Sequence, residues 1–183
     1  MKLVLASASP RRQELLRTAG ISFTVRPAAI DERVLPGENP EAYVSRLAAA
    51  KARACWLPGE VTLGADTVVT LDGLLLGKPS DDADARRMLR LLSGRTHQVL
   101  TGVCLYDGSE TRSAVEITEV EFLDLSDEEI EQYVAGGEPL DKAGAYGIQG
   151  EASKFVKRVN GCYFNVVGLP LARVYGFIRS ILR

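Results

Sequence analysis

The chain has 183 residues, 46% of them hydrophobic and 25% charged, with a formal net charge of −2. That length suits one domain spanning 1–183, or two lobes around one cleft, able to bury roughly 70% of its unfolded surface. The balanced charge argues against a general nucleic-acid binder, which carries a basic excess, and the isolated Cys55, Cys104 and Cys162 suggest neither a zinc cluster nor a disulfide framework.

The N-terminus enters a strand at once, with no charged and then apolar leader, and no run approaches about 18 uninterrupted apolar residues. The expectation is a cytoplasmic protein that neither crosses nor binds a membrane. Strand-like and helix-like patterns alternate without a repeat or low-complexity linker, which predicts an α/β fold with a mixed sheet flanked by helices. Strands are expected over 2–6, 21–26, 61–71, 97–106, 112–123, 154–159 and 162–167, and helices over 10–19, 40–57, 81–93, 126–135 and 170–182. Asp72-Gly73, Asp107-Gly108 and Asn160-Gly161 suit the positive φ angles of type I′ turns and predict antiparallel hairpins. Ser126-Asp127-Glu128-Glu129 has capping-box spacing before Ile130, and Gly94 and Gly136 are expected helix terminators.

The first chemical signal is the junction Ser7-Ala8-Ser9-Pro10-Arg11-Arg12, between a strand and a helix. Ser9 is a good N-cap, and Pro10 suits the first helical position because its missing N–H has no intrahelical partner there. Arg11 and Arg12 then sit in the first turn, where the helix dipole disfavours a cation by about 0.3–1 kcal/mol each. An anion offsets that cost, and free N–H groups, two hydroxyls and two guanidiniums suit phosphate oxygens. The plainer reading is a surface turn with two solvated arginines.

In the helix over 40–57, Val44, Leu47, Ala48, Lys51 and Cys55 share one stripe, while Arg46 and Arg53 point elsewhere. Lys51 therefore points inward. It either snorkels past the helix end or meets a carboxylate or phosphate. Asp31-Glu32 falls where the chain changes direction, and Asp66 interrupts the apolar run Val61-Thr62-Leu63-Gly64-Ala65-Asp66-Thr67-Val68-Val69. A buried acid must be paired, protonated or metal-bound. Glu32 and Asp66 together offer the hard oxygens that Mg²⁺ takes beside water and substrate phosphates; the plainer readings are a turn acid for Asp31 or Glu32 and a locally paired strand-end acid for Asp66.

Gly77-Lys78-Pro79 is not a P-loop, since the glycine spacing is one residue short and Pro79 replaces the metal-binding hydroxyl. Lys78 follows the expected 72–73 hairpin, either projecting toward a ligand or exposed on a loop. Between Asp141 and Gly150, three glycines let the backbone approach a ligand, and Gln149 offers a donor and an acceptor that suit a base edge. An irregular structural loop is the other reading. His97, the only histidine, opens an apolar strand and is read as structural.

Ser7-Ala8-Ser9-Pro10-Arg11-Arg12, Asp31-Glu32, Lys51, Gly64-Ala65-Asp66-Thr67, Gly77-Lys78-Pro79, Thr96-His97-Gln98-Val99 and the run from Gly137 to Gly150, in this order, resemble the Maf family. The resemblance spans nearly the whole chain. It implies an α/β fold with a central cleft, similar to the inosine triphosphate pyrophosphatases, in a homodimer that cleaves a nucleoside triphosphate to the monophosphate and pyrophosphate. It also implies Asp66, Glu32 and Lys51 as catalytic residues, with Mg²⁺, or Mn²⁺, on Glu32 and Asp66. Ser7, Arg12 and Lys78 would bind the triphosphate, and Arg11, Thr67 and Gln149 would select the nucleotide. A 7-methyl-GTP branch of the family reads Ser-Pro-Tyr-Arg and Ser-Asp-Gln at the first and Asp66 motifs, so this chain resembles the dTTP/UTP branch. A non-enzymatic, nucleotide-sensing regulator of septum formation is the alternative, a role with less use for an inward acid.

Overall fold

Apolar runs bounded by capping residues, glycines and prolines set the elements. The computed structural model describes residues 2–181. In order come β1 (Lys2–Leu5), α1 (Pro10–Thr18), β2 (Thr24–Val25), α2 (Pro40–Ala54), β3 (Glu60–Leu71), β4 (Leu74–Leu76), α3 (Asp82–Leu92), β5 (Thr96–Tyr106), β6 (Thr111–Phe122), α4 (Asp127–Ala135), β7 (Val156–Asn160), α5 (Tyr163–Val167) and α6 (Leu171–Ile181). Tight 3₁₀ turns cover Glu138–Asp141, Ala143–Ala145 and Glu151–Phe155. Position 182 of the expected last helix, and positions 1 and 183 of the expected domain, lie outside the described residues. No helix among the described residues is long and apolar enough to cross a membrane.

The sheet is mixed, in the order β2-β1-β3-β5-β6-β7 with β4 beside β3. β1 runs parallel to both β2 and β3, while β4 on β3 and β7 on β6 are antiparallel. Leu3, Val4, Leu5 and Ala6 are all buried, the continuous apolar run of a strand covered on both faces.

Contacts divide the chain into two compact units. One takes Met1–Thr67, Thr101–Glu116 and Phe164–Arg183, the other Val68–Leu100 and Ile117–Tyr163. In the first, α2 lies directly on strand backbone. A Cβ at Gly64 would stand 2.0 Å from the Ala48 carbonyl oxygen, and one at Gly102 would stand 2.3 Å from that of Val44. Only glycine permits this approach at either position, and it brings the inward face of α2 against β3. In the second unit, His97, Phe122 and Tyr146 meet edge to face, and His97 Nε2 is 2.8 Å from the Tyr146 hydroxyl.

Several expected elements differ. The 162–167 segment is helix α5, not a strand, so Asn160-Gly161 closes no hairpin. Past the end of β7 at Asn160, Thr118 bonds both Cys162 N and Cys162 O, and the Gly168 N–H then closes a helical turn on Phe164 O. Asp107-Gly108 belongs to a four-residue loop in which Asp107 Oδ1 accepts from Ser109 N and Glu110 N. Asp72-Gly73 is the expected turn, with φ of 51° and 80°. The 21–26 strand shortens to an exposed pair, and the 40–57 helix stops before Leu57, which Pro58 disfavours as helical. The 154–159 strand begins only after the turn through Phe155. Gly136 ends α4 in a right-handed conformation, and Gly137 supplies the left-handed one.

Burial pulls the His97 pKa from 6.5 down to about 4. A depressed histidine binds fewer protons folded than unfolded, so its contribution is complete above pH 6.5 and is lost as pH falls toward 4. Denaturant titrations at stepped pH are expected to show a loss on the order of 2 to 3 kcal/mol across that window. The His97→Gln variant, which cannot titrate there, is expected to flatten it.

Candidate active site

Ser9 caps α1 by accepting the Arg12 N–H, and Pro10 fills the first helical position. The Arg12 side chain returns toward the strand, where three oxygens receive it. Nη1 donates to Ser7 Oγ at 3.0 Å, Nε to the Gly168 carbonyl at 2.8 Å and Nη2 to Thr67 Oγ1 at 3.0 Å. Arg12 is therefore not a solvated surface cation. Desolvation pulls its pKa below the ordinary value; Asp66 opposes the shift, the neighbouring Arg11 adds to it and Glu32 opposes it. The acids that the sequence left unconnected thus lie within the field of Arg12.

Those acids meet on α2. Val44, Leu47, Ala48, Lys51 and Ala52 form its buried face, and Lys51 Nζ lies 2.6 Å from Asp66 Oδ1 and 2.8 Å from Glu32 Oε1. Lys51 does not snorkel. Asp66 is buried on β3 and Glu32 is exposed on the loop before α2. Two side chains of α2 strap that loop down, the Tyr43 hydroxyl donating to Glu32 O at 2.9 Å and Arg46 Nη2 to Arg33 O at 3.0 Å. Asp31 faces elsewhere and pairs with Arg33 on the surface. Burial raises the Asp66 pKa; Lys51 and then Arg12 act against this, while Glu32 reinforces it. The result is a carboxylate with an enhanced proton affinity, held beside cations.

Ser7, Arg11, Arg12, Glu32, Lys51, Asp66 and Thr67 all belong to the first unit. Lys78 and Gln149 belong to the second and are exposed. Their segments are joined there, since Gly144 N donates to Gly77 O at 3.0 Å. Sequence reasoning missed Tyr43, Thr101 and the carbonyls of Asn165 and Gly168. Thr101 interrupts an apolar strand as Asp66 does and was legible on that ground, whereas a backbone carbonyl leaves no trace in composition.

A family profile described as Maf-like protein spans residues 2–181. The chain belongs to the Maf family. It is 58% identical over 182 residues to a protein of Anaeromyxobacter dehalogenans named dTTP/UTP pyrophosphatase, covering 97% of this chain and 93% of that one. A protein of Koribacter versatilis with the same name is 54% identical over 181 residues, covering 98% and 94%. Among solved structures, a HAM1 protein from Coxiella burnetii aligns with 67% of this chain and 73% of its own at 21% identity and a TM-score of 0.46.

This Maf chain has no cluster of three metal-ligating side chains among the described residues. The donor set nonetheless fits a hard divalent ion, because Glu32 and Asp66 already converge on one positive charge and Mg²⁺ commonly takes only one or two carboxylates, with waters and phosphates completing its shell.

Replacing Lys51 by Met removes the largest influence that holds the Asp66 pKa down. Carbon-detected NMR titration of Lys51→Met is expected to place the Asp66 carboxyl at higher pH than in the wild type. Leaving the buried acid without its cation is expected to destabilise the variant at pH 7 by about 3–5 kcal/mol. That deficit shrinks as pH falls, since a carboxyl whose folded pKa is raised gains stability on protonation.

Proposed function

We propose that the protein hydrolyses dTTP and UTP, and modified pyrimidine relatives of them, to the monophosphate and pyrophosphate. The observation that carries this is the convergence of Glu32 and Asp66 on Lys51 with Arg12 held alongside, which joins a base of raised proton affinity to anion-binding cations. The names of relatives more than half identical across nearly the whole chain support the same reading.

In this mechanism Asp66 takes a proton from the water that attacks the α-phosphorus. The bond from that phosphorus to the oxygen bridging to the β-phosphorus breaks, and pyrophosphate leaves. Arg12 and Lys51 hold the triphosphate and offset charge developing on the leaving oxygens, a preorganised electrostatic contribution. Ser7 orients Arg12 through its Oγ. Mg²⁺, or Mn²⁺, held by Glu32 and Asp66 would supply neutralising charge at the phosphate oxygens. The family resemblance extends the triphosphate contacts to Lys78 and assigns nucleotide choice to Arg11, Thr67 and Gln149; an amide that both donates and accepts suits the imide of a pyrimidine. The proposal takes the enzyme as a cytoplasmic homodimer with no nucleic-acid or membrane partner.

Pyrophosphate release by the purified protein with Mg²⁺ and a nucleotide panel tests this. Turnover of dTTP and UTP is expected to be high and that of 7-methyl-GTP low, and Asp66→Asn is expected to lose about 10²–10⁴-fold in kcat while keeping its fold. Wild-type turnover absent on every nucleotide, or an Asp66→Asn protein within a fewfold of wild type, would reject the assignment.

A further inference from the structure

Arg12 is fixed by more than the residues beside it. Its Nη2 donates to Thr67 Oγ1 at 3.0 Å, Thr67 Oγ1 lies 2.9 Å from Thr101 Oγ1, and Thr101 Oγ1 donates to the Asn165 carbonyl at 3.2 Å. Thr101 sits on β5 with no solvent exposure, and Asn165 lies on α5. The two hydroxyls have one proton each, which settles the direction of the chain. A carbonyl only accepts, so the Thr101 proton points to Asn165 O. Thr101 therefore receives the Thr67 proton. Thr67 is left with a lone pair toward Arg12, which only donates.

We infer that Thr101 is a positioning residue for the reaction: through Thr67 it orients the Arg12 guanidinium toward the substrate phosphates. The inference rests on the triphosphate contact proposed above for Arg12. Of the five guanidinium N–H groups, the bonds to Gly168 O, Ser7 Oγ and Thr67 Oγ1 engage one on each nitrogen. One N–H remains on Nη1 and one on Nη2, two charged donors left for phosphate oxygens. Removing the Thr101 hydroxyl releases the Thr67 proton, whose next acceptor is Gly168 O at 3.5 Å. That contact is long, so Thr67 Oγ1 is held less firmly than by Thr101, and the third corner of the guanidinium loosens while the other two stay. With its proton spent on Thr101, Thr67 donates nothing to a ligand, and its influence on the nucleotide passes through Arg12.

Steady-state kinetics with UTP and Mg²⁺ on the full-length protein test this with Thr101→Val, Thr101→Ser, Arg12→Ala and the double variant Arg12→Ala/Thr101→Val. Valine keeps the shape without the hydroxyl, and kcat/KM is expected to fall about tenfold, the scale of one hydrogen bond to a charged group, while the thermal midpoint drops by only several degrees because the buried Asn165 carbonyl loses its donor. Serine restores the hydroxyl and is expected to return kcat/KM to near wild type. In the Arg12→Ala background Thr101→Val is expected to change nothing further, because the two residues act as one unit. Should Thr101→Val fail to fold, Thr101→Ala takes its place in the same cycle. A Thr101→Val loss of equal size with and without Arg12, failed rescue by serine, or wild-type kinetics in Thr101→Val would overturn the relay while leaving the proposed activity intact. A wild type inactive on every nucleotide overturns both.

Discussion

A carboxylate buried in a sheet needs a cation, and the arrangement around Asp66 follows from meeting that need through Lys51. The desolvation cost of an unpaired ion is several kcal/mol, so β3 carries Asp66 only while α2 lies close enough to bring Lys51 within 2.6 Å. That closeness depends in turn on Gly64 and Gly102, where any Cβ would enter the α2 backbone. Two residues without side chains thereby set the distance between two charged ones. Glu32 joins from an exposed loop that α2 itself ties down through Tyr43 and Arg46, so a single helix gathers both acids on one ammonium.

The same strand shows that environment, not residue type, decides what a carboxylate does. Glu60 opens β3 opposite Lys2 of β1 and is bonded by Arg26 and Lys2, which pull its pKa down to about 2. Asp66, six positions on, is shifted the opposite way by burial. Glu60 is a permanent charge that locks β1 to β3. Asp66 is an acid whose charge is poorly solvated, and such groups take up protons in catalytic sites.

Arg12 shows how a locally unfavourable residue is held. A guanidinium in the first turn of α1 opposes the helix dipole, yet Ser7, Thr67 and Gly168 each offer it an oxygen, and Asp66 and Glu32 supply a negative field. A polar chain through Thr101 to the α5 backbone fixes one of those oxygens. Anchoring by backbone carbonyls of a helix and its following turn ties the arginine to the fold as a whole.

Local signals gave the cap at Ser9, the inward face of α2, the capping box at Ser126 and the 72–73 turn, because each depends on neighbours within a few residues. They also gave Asp66, since an acid in an apolar strand stands out whatever surrounds it. Tyr163-Phe164-Asn165-Val166-Val167 misled for the opposite reason: its aromatic and branched residues favour a strand, but β7 has ended at Asn160 and Thr118 takes both backbone groups of Cys162 ahead of the helix. Likewise, composition shows that Lys51 needs a partner but not which one. That Lys51 meets Asp66 and Glu32 together, and that Arg12 rests on a carbonyl 156 residues away in sequence, was decided only in the folded chain. Periodicity reports which way a side chain faces; the partner it meets depends on how distant segments pack, and a carbonyl oxygen that completes a site is the same in every residue.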